Sequence, residues 1–212
     1  MHRLLLFSII IVIFSIPVIA QDLELKADPI GERQLNTSEF VNLKVYSGIE
    51  VKLIASNENK LLISGEDRMD VVAKIKGQTL KIRHSLEHII NPTFTYVELY
   101  HTGLMDEITL YQGATLKADS TYKQTSISLK VQEGASMDFN FEGEKLTSIV
   151  NSGGKLFLSG KVTNHQSSVS SGGACEAETF EAEQTKVNVT AGGMAYVYAT
   201  ELLEARVTAG GI

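Results

Sequence analysis

The sequence of 212 residues contains one cysteine, no tryptophan and only three prolines. With Cys175 as its single thiol, the chain cannot form an intrachain disulfide, so core packing and backbone pairing must supply its stability. Basic residues are in the minority, with 19 Lys and Arg against 25 Asp and Glu. Because an acidic chain without basic clusters in its sequence is a poor candidate for binding nucleic acid, we expect no nucleic-acid partner.

Long apolar runs are confined to the beginning of the chain. Met1-His2-Arg3 is a short basic start, and a run of apolar residues and serine follows from Leu4 to Ile16. Pro17 ends the run, and Val18-Ile19-Ala20 offers the modest side chains found before a signal-peptidase site. The run is shorter than the ~20 residues of a membrane span, which disfavours an anchor. We predict a signal peptide at 1–20, secretion to the periplasm, cell surface or extracellular space, and no membrane span after cleavage.

An internal repeat is the strongest pattern in the sequence. Its mark is a glycine followed by a small residue, at Gly113-Ala114, Gly134-Ala135, Gly153-Gly154, Gly172-Gly173, Gly192-Gly193 and Gly210-Gly211. Successive first glycines are separated by 21, 19, 19, 20 and 18 residues. A period near 20 predicts a stack of similar units.

Aliphatic residues recur at fixed distances from these glycines. Three residues before each first glycine stand Leu110, Val131, Val150, Val169, Val189 and Val207. Three residues after it stand Leu116, Met137, Leu156, Cys175 and Ala195, and five after it stand Ala118, Phe139, Leu158, Ala177 and Val197. The two later columns are two residues apart, which places both on one face of a strand. The alternative is a meander of ordinary hairpins with coincidental spacing.

Stacked units explain this pattern physically. A unit of short strands cannot bury its apolar face alone, whereas units stacked about 4.8 Å apart pair their backbones and align their valines. The glycines would occupy sharp turns with positive φ. We therefore predict an all-β solenoid at 37–212, with an irregular β region at 37–103 and regular coils at 104–212. Residues 21–36 are polar and unpatterned, and are predicted to form a mobile lead-in segment.

Three stretches carry a resemblance to a known family. They are FVNLKVYSGIEVKLIAS at 40–56, LLISGEDRMDVVAKIKGQTLKI at 61–82 and NVTAGGMAYVYATELLEARVTAGG at 188–211. With them the chain resembles the putative auto-transporter adhesin, head GIN domain family of exported proteins in Bacteroidetes-type bacteria. The resemblance implies a right-handed parallel β-helix and an adhesin-like role. Relatives in this family generally continue through another strand beyond the last Gly-Gly pair, whereas this chain stops at Ile212.

One segment has the spacing of a zinc site. His84-Ser85-Leu86-Glu87-His88 matches the H-x-x-E-H pattern, in which two helical histidines bind zinc beside a glutamate base. The segment follows a strand-like Leu80-Lys81-Ile82, and Pro92 would end any helix soon after it. We therefore expect an exposed polar loop and no metal or other cofactor.

Other candidate catalytic groups are better explained by structural roles. Glu176, Glu178, Glu181 and Glu183 resemble the carboxylates of glycan-cleaving β-helices, but their alternation with small residues favours a solvated edge. Ser167, Ser168, Ser170 and Ser171 have no acid–base partner in the pattern. Cys175 is expected to be a buried packing residue beside Leu156 and Ala195. We therefore predict no catalytic, cofactor-binding or metal-binding residues.

The resulting hypothesis is a non-enzymatic, adhesin-like surface protein that binds a glycan or protein ligand through a repetitive β-helix surface. The alternatives are a carbohydrate-active lyase or hydrolase on the same scaffold, and a structural assembly protein. If sugars stack on aromatic rings, the candidates are Tyr96, Tyr100, Tyr111, Tyr122, Tyr196 and Tyr198. The last coil, Gly192 to Val207, lacks a capping strand, which predicts end-to-end self-association or a longer natural chain.

Overall fold

The computed structural model describes residues 31–85 and 94–212. Within them the chain is all-β, with one short 3-10 helix at Arg68–Asp70. The strands are β1 (Arg33–Asn36), β2 (Asn42–Val45), β3 (Glu50–Ala55), β4 (Lys60–Gly65), β5 (Val71–Lys76), β6 (Thr79–His84), β7 (Thr95–His101), β8 (Glu107–Leu110), β9 (Thr115–Ala118), β10 (Tyr122–Lys123), β11 (Ser126–Val131), β12 (Ser136–Val150), β13 (Lys155–Val169), β14 (Ala174–Val189) and β15 (Met194–Val207).

These strands pair into one continuous sheet with two parallel stacks. Face 1 is the stack β7-β3-β9-β12-β13-β14-β15, and face 2 is the stack β6-β2-β8-β11-β12-β13-β14-β15. The long strands serve both faces, since the first half of β12 pairs with β9 and its second half pairs with β11. One rung is a strand of face 2, a turn and the next strand of face 1. The chain is the β-solenoid that the repeat predicts.

Tight turns with two successive left-handed residues connect face 2 to face 1. In a central rung Ser152 has φ 50° and Gly153 has φ 74°, as the sequence predicts for the glycine. The Gly153 N–H donates to the Ser171 carbonyl of the next rung at 3.1 Å, so the turns stack as the strands do. A Cβ on Gly154 would lie 2.3 Å from the Val131 carbonyl oxygen. Close approach of the rungs therefore explains the second glycine of this pair.

The aliphatic column that precedes the glycines is continuous in the core. The register joins Leu110, Val131, Val150, Val169 and Val189 on successive strands of face 2. Each of these side chains is at most 2% exposed. The prediction that the valines form one buried column is confirmed.

The two columns that follow the glycines line the opposite wall of the core. On face 1, Met137 pairs with Leu156, which pairs in turn with Cys175, and Phe139 pairs with Leu158. All five side chains are buried. The predicted common face of these columns is therefore confirmed, and the interior is filled by side chains from both stacks.

The N-terminal rungs are stacked in an order that differs from the order of their strands in the sequence. The outermost rung is β6 with β7, and the rung beneath it is β2 with β3, although β2 and β3 come first in the sequence. The strands β8 and β9 then stack on the other side of β2 and β3. Antiparallel β4 and β5 pair with β7 and β6 and cover this end. Those additional strands interrupt the 20-residue period.

One part of the lead-in prediction is wrong. Arg33–Asn36 is not a mobile segment but strand β1, which pairs antiparallel with β4. The Arg33 guanidinium donates to the carbonyls of Arg68, Met69 and Val71 at 2.9–3.1 Å, and Leu35 packs against the core. A strand of four residues with one apolar contact leaves too weak a pattern to be recognised in the sequence. The predicted signal peptide and residues 21–30 lie outside the described residues.

The opposite end of the solenoid is uncovered in the described chain. Strand β15 pairs with β14 alone, and Leu202, Leu203 and Val207 are 57%, 52% and 50% exposed. This contrasts with the antiparallel cover of the first rung. No helix in the described ranges has the length and apolarity needed to cross a membrane.

The buried valine column makes a testable prediction about stability. Val169→Asp should lower the free energy of unfolding by roughly 3 kcal/mol or more, because it places an unpaired carboxylate in a fully enclosed position. Urea denaturation followed by circular dichroism measures the change. Ser168→Asp is the matched control, since Ser168 is the exposed neighbour on the same strand. Equal stability of the two variants would contradict the register.

Candidate binding surface

The single cysteine is enclosed between rungs. Cys175 is buried and lies in register with Leu156 and Ala195, which confirms its predicted inward position. Burial raises the pKa of its thiol to about 11, although contacts with the Ser167 and Ser148 hydroxyls work in the opposite direction. The thiol therefore stays protonated near neutral pH, and a buried neutral thiol is a poor nucleophile.

A histidine and two serines form a polar cluster beside this thiol. The Ser148 hydroxyl donates to Ser167 at 2.9 Å and lies 3.1 Å from the Nε2 atom of His165. His165 also meets the Phe180 ring edge-on, with centroids 5.3 Å apart. All these groups are at most 2% exposed, and burial lowers the pKa of His165 to about 4. The cluster holds serine and neutral imidazole together inside the core.

The H-x-x-E-H segment is described only in part. His84 ends strand β6 and is 1% exposed, so the prediction of an exposed loop is wrong at this residue. It faces the core because it continues the inward alternation of Leu80 and Ile82. His88 and Glu87 lie outside the described residues.

Of the four glutamates, Glu176 lies on face 1 next to Cys175, and the other three follow where β14 passes from face 1 to face 2. Glu178, Glu181 and Glu183 are exposed, as predicted for a solvated edge. Lys161 stands opposite Glu181 in the register, and Lys161, Glu181 and Glu183 line an open groove of about 260 Å³. The groove joins acids to a lysine, a combination that the sequence pattern did not indicate.

The tyrosines proposed for sugar stacking have different environments. Tyr196 and Tyr198 are 45% and 50% exposed, on the uncovered rung. Tyr122 is buried and hydrogen-bonds His101, and burial raises the pKa of its phenol. Tyr111 stacks face to face on Tyr46 at 4.8 Å between centroids.

A row of cations crosses the outside of face 2. The register places Lys74 opposite Lys81, Lys81 opposite Lys44, and both Lys44 and Lys130 beside Thr109. We call Lys44, Lys74, Lys81 and Lys130 the basic row. Lys74 is exposed and the other three are partly exposed, since their strand neighbours face inward.

One carboxylate, Glu107, pairs with two lysines of this row. Glu107 lies 2.6 Å from the Lys130 ammonium and 3.9 Å from that of Lys44, and it accepts a hydrogen bond from Thr109 at 3.0 Å. Burial opposes ionisation of Glu107, but the bonds from Lys130 and Thr109 and the charges of both lysines hold its pKa below the ordinary value. Within residues 31–85 and 94–212, the ion pairs of the basic row all involve Glu107.

The sequence analysis missed the basic row. Its four lysines are spread over 87 positions, from 44 to 130, and become neighbours only through strand pairing. The alternating basic residues of KIK at 74–76 and KIR at 81–83 were the available signal, because period-2 lysines lie on one face of a strand. The sequence itself has no basic cluster, and strand pairing assembles one on the surface of face 2.

Comparisons with known proteins agree with this architecture. A family model described as putative auto-transporter adhesin, head GIN domain, matches residues 39–212. The chain belongs to this family. No curated protein matches the sequence of this head GIN domain protein.

Several solved structures share the fold of this head GIN domain protein. A putative adhesin from Bacteroides fragilis aligns with TM-score 0.64 and 12% identity, covering 85% of this chain and 96% of its own. A putative lipid binding protein from Parabacteroides distasonis aligns with TM-score 0.61 and 14% identity over 85% and 94% of the two chains. A putative adhesin from Parabacteroides merdae gives 0.58 and 13%, over 85% and 93%. At such low identity these matches establish the fold alone.

Burial of His165 makes stability depend on pH. Its pKa is about 4 in the folded protein against an ordinary value of 6.5, so the unfolded chain binds more protons between these values. The neutral imidazole therefore contributes about 3 kcal/mol to the free energy of unfolding. This contribution is complete above pH 6.5 and is lost as the pH falls toward 4.

We expect His165→Leu to flatten this decline, measured by urea denaturation at pH 7, 5.5 and 4.5. Burial also lowers the pKa of His101, despite a hydrogen bond to the Gly103 carbonyl. His101 is present in both the wild type and the variant, so its effect is the same in both. The difference between the two curves therefore isolates His165. Parallel curves for wild type and variant would contradict this assignment.

Proposed function

We propose that this chain is an exported, non-enzymatic, adhesin-like protein that binds a ligand through the outer surface of its solenoid. The observation that carries the proposal is the division of polar groups in the fold. The cluster that brings a hydroxyl, an imidazole and a thiol together, Ser148, His165 and Cys175, is buried in the core. The lysines of the basic row and the Tyr46–Tyr111 pair lie on the outside of face 2. Binding needs such an accessible array, whereas catalysis needs accessible reactive groups.

Export is part of the same proposal. The family description names an auto-transporter adhesin, which supports a location outside the cytoplasm. The predicted signal peptide at 1–20, with cleavage after Ala20, would provide the route. The mature chain would then reside in the periplasm, at the cell surface or in the medium.

A carbohydrate-active enzyme is the second candidate. The observation in its favour is the groove at Lys161, Glu181 and Glu183, which supplies acids beside a cation. Its weakness is the wide exposure of the glutamates, because an acid catalyst needs a raised pKa in a partly dry site.

The binding hypothesis is tested on an array of glycans and matrix proteins probed with the purified protein. We expect the protein to retain one class of ligand and to release no sugar products, because the side chains on the outside of the solenoid bind the ligand without cleaving it. Incubation of each retained glycan with the protein, followed by a reducing-sugar assay, supplies the enzymatic arm. If sugar products are released by the wild type and not by Glu181→Gln, the protein is a carbohydrate-active enzyme and the adhesin proposal fails. If no glycan or matrix protein on the array is retained, the binding hypothesis is contradicted.

Self-association through the uncovered rung is a further part of the proposal. Leu202, Leu203 and Val207 are exposed there, and the first rung is covered by β4 and β5. Head-to-tail stacking is therefore disfavoured, and two copies would meet through β15 about a twofold axis.

We expect sedimentation to show a dimer that Leu203→Asp converts to a monomer, because a carboxylate cannot be buried between two apolar rungs. Asn164→Asp adds the same charge at an exposed position elsewhere on face 2 and should leave the dimer intact. A wild-type protein that stays monomeric at high concentration would contradict self-association.

A further inference from the structure

The basic row is unusual on this molecule because the chain as a whole is acidic. The sequence carries 19 basic and 25 acidic residues. Around the row, Lys76 and Arg83 lie on the same outer side as Lys74 and Lys81, since they are two residues away on β5 and β6. Among the described residues, six cations thus lie on this part of face 2, where Glu107 pairs with Lys44 and Lys130 and Glu133 lies near Tyr46. Charge of one sign concentrated on one side of an acidic protein marks a surface that attracts anions.

The geometry of the row points to an extended ligand. Lys74, Lys81, Lys44 and Lys130 lie on β5, β6, β2 and β11, and β8 with Thr109 separates the last two. Four interstrand steps of about 4.8 Å give the row a length of about 19 Å. It crosses an open sheet and not a cavity, so a small anion would be poorly enclosed. A linear chain with repeated negative charges can contact all four lysines at once.

The charge density of the row favours one class of polyanion. Duplex DNA carries one negative charge per ~1.7 Å of its axis, whereas the row offers four cations over about 19 Å and shares two of them with Glu107. Lysine ammonium groups also act as point charges without the planar fork of arginine. A polymer with sparsely spaced carboxylates or sulfates, such as an acidic polysaccharide, matches this density better than a nucleic acid.

The neighbouring aromatic residues support the same choice. Tyr46 and Tyr111 follow Lys44 and Thr109 by two residues on the outer side of face 2, and their rings stack on each other at 4.8 Å and 9°. The stacked pair leaves no gap between its rings for a nucleic-acid base to enter. The Arg83 guanidinium donates to the His84 carbonyl at 2.8 Å. The tyrosine hydroxyls and ring edges can still contact sugar hydroxyls beside the lysines.

We propose that the basic row binds an acidic polysaccharide, with the lysines pairing its carboxylate or sulfate groups and the Tyr46–Tyr111 pair flanking the chain. The proposal rests on the binding function proposed above and names the ligand class and the surface. The ionic contacts are largely solvent-exposed, so affinity should fall as salt is raised.

The test uses the purified protein and four immobilised probes: polygalacturonate, heparin, neutral dextran and a single-stranded DNA oligonucleotide. We expect binding to at least one acidic polysaccharide, no binding to dextran, and weaker binding to DNA at equal charge. Lys74→Gln combined with Lys81→Gln should weaken polysaccharide binding about tenfold, since each cation near an anionic surface contributes a several-fold gain. Neither lysine has an ion-pair partner within the described ranges, so the variant should keep the wild-type melting temperature.

The matched control is Lys117→Gln combined with Lys155→Gln, two exposed lysines of face 1, which should change affinity less than twofold. Equal losses in both double variants, or retention by dextran, would overturn the assignment to the basic row. Tighter binding of DNA than of either polysaccharide would replace the ligand class with nucleic acid. If the array above retains a neutral glycan or a protein and the basic-row variant binds it normally, this inference fails while the binding function stands. If neither experiment finds a ligand, both fail.

Discussion

In-register parallel pairing of successive rungs is the constraint on which the rest of the structure depends. Strand β13 is paired along most of its length on both sides, with β12 and with β14, and its side chains align with their equivalents above and below, apart from a register shift between Phe157 and Ser159. Similar side chains therefore stack on one another along the solenoid. The same strand pairing produces the valine column inside and the row of lysines outside. The turn glycines belong to the same constraint, since the rungs approach too closely at Gly154 for a side chain.

The same pairing explains why the core tolerates polar residues. Ser148 and Ser167 occupy neighbouring places in one column, where each supplies a partner to the other, and His165 lies beside them. Buried hydroxyl and imidazole groups are costly when unpaired, so a column that repeats polar residues satisfies them locally. The serine and histidine side chains of this cluster are thereby committed to packing in the core.

The ends of the solenoid are where regular pairing stops. At the first rung, antiparallel β4 and β5 occupy the edges of β7 and β6, and lysines on the outer side of β5 discourage further strand addition. At the other end β15 has one partner in the described chain. The two ends of one repetitive body are therefore different, since one is covered by antiparallel strands and the other is uncovered in the described chain.

The sequence by itself determined the solenoid, its turns and its buried columns, because a 20-residue period and period-2 alternation record which residues must face the core. It also located Cys175 correctly, since a column position leaves a side chain one direction to point. Only the tertiary structure decided the stacking of β6 and β7 outside β2 and β3, the strand at Arg33–Asn36, and the basic row. These features arise from pairing between residues far apart in the chain, and a lysine at position 44 carries no local trace of its neighbours at 81 and 130.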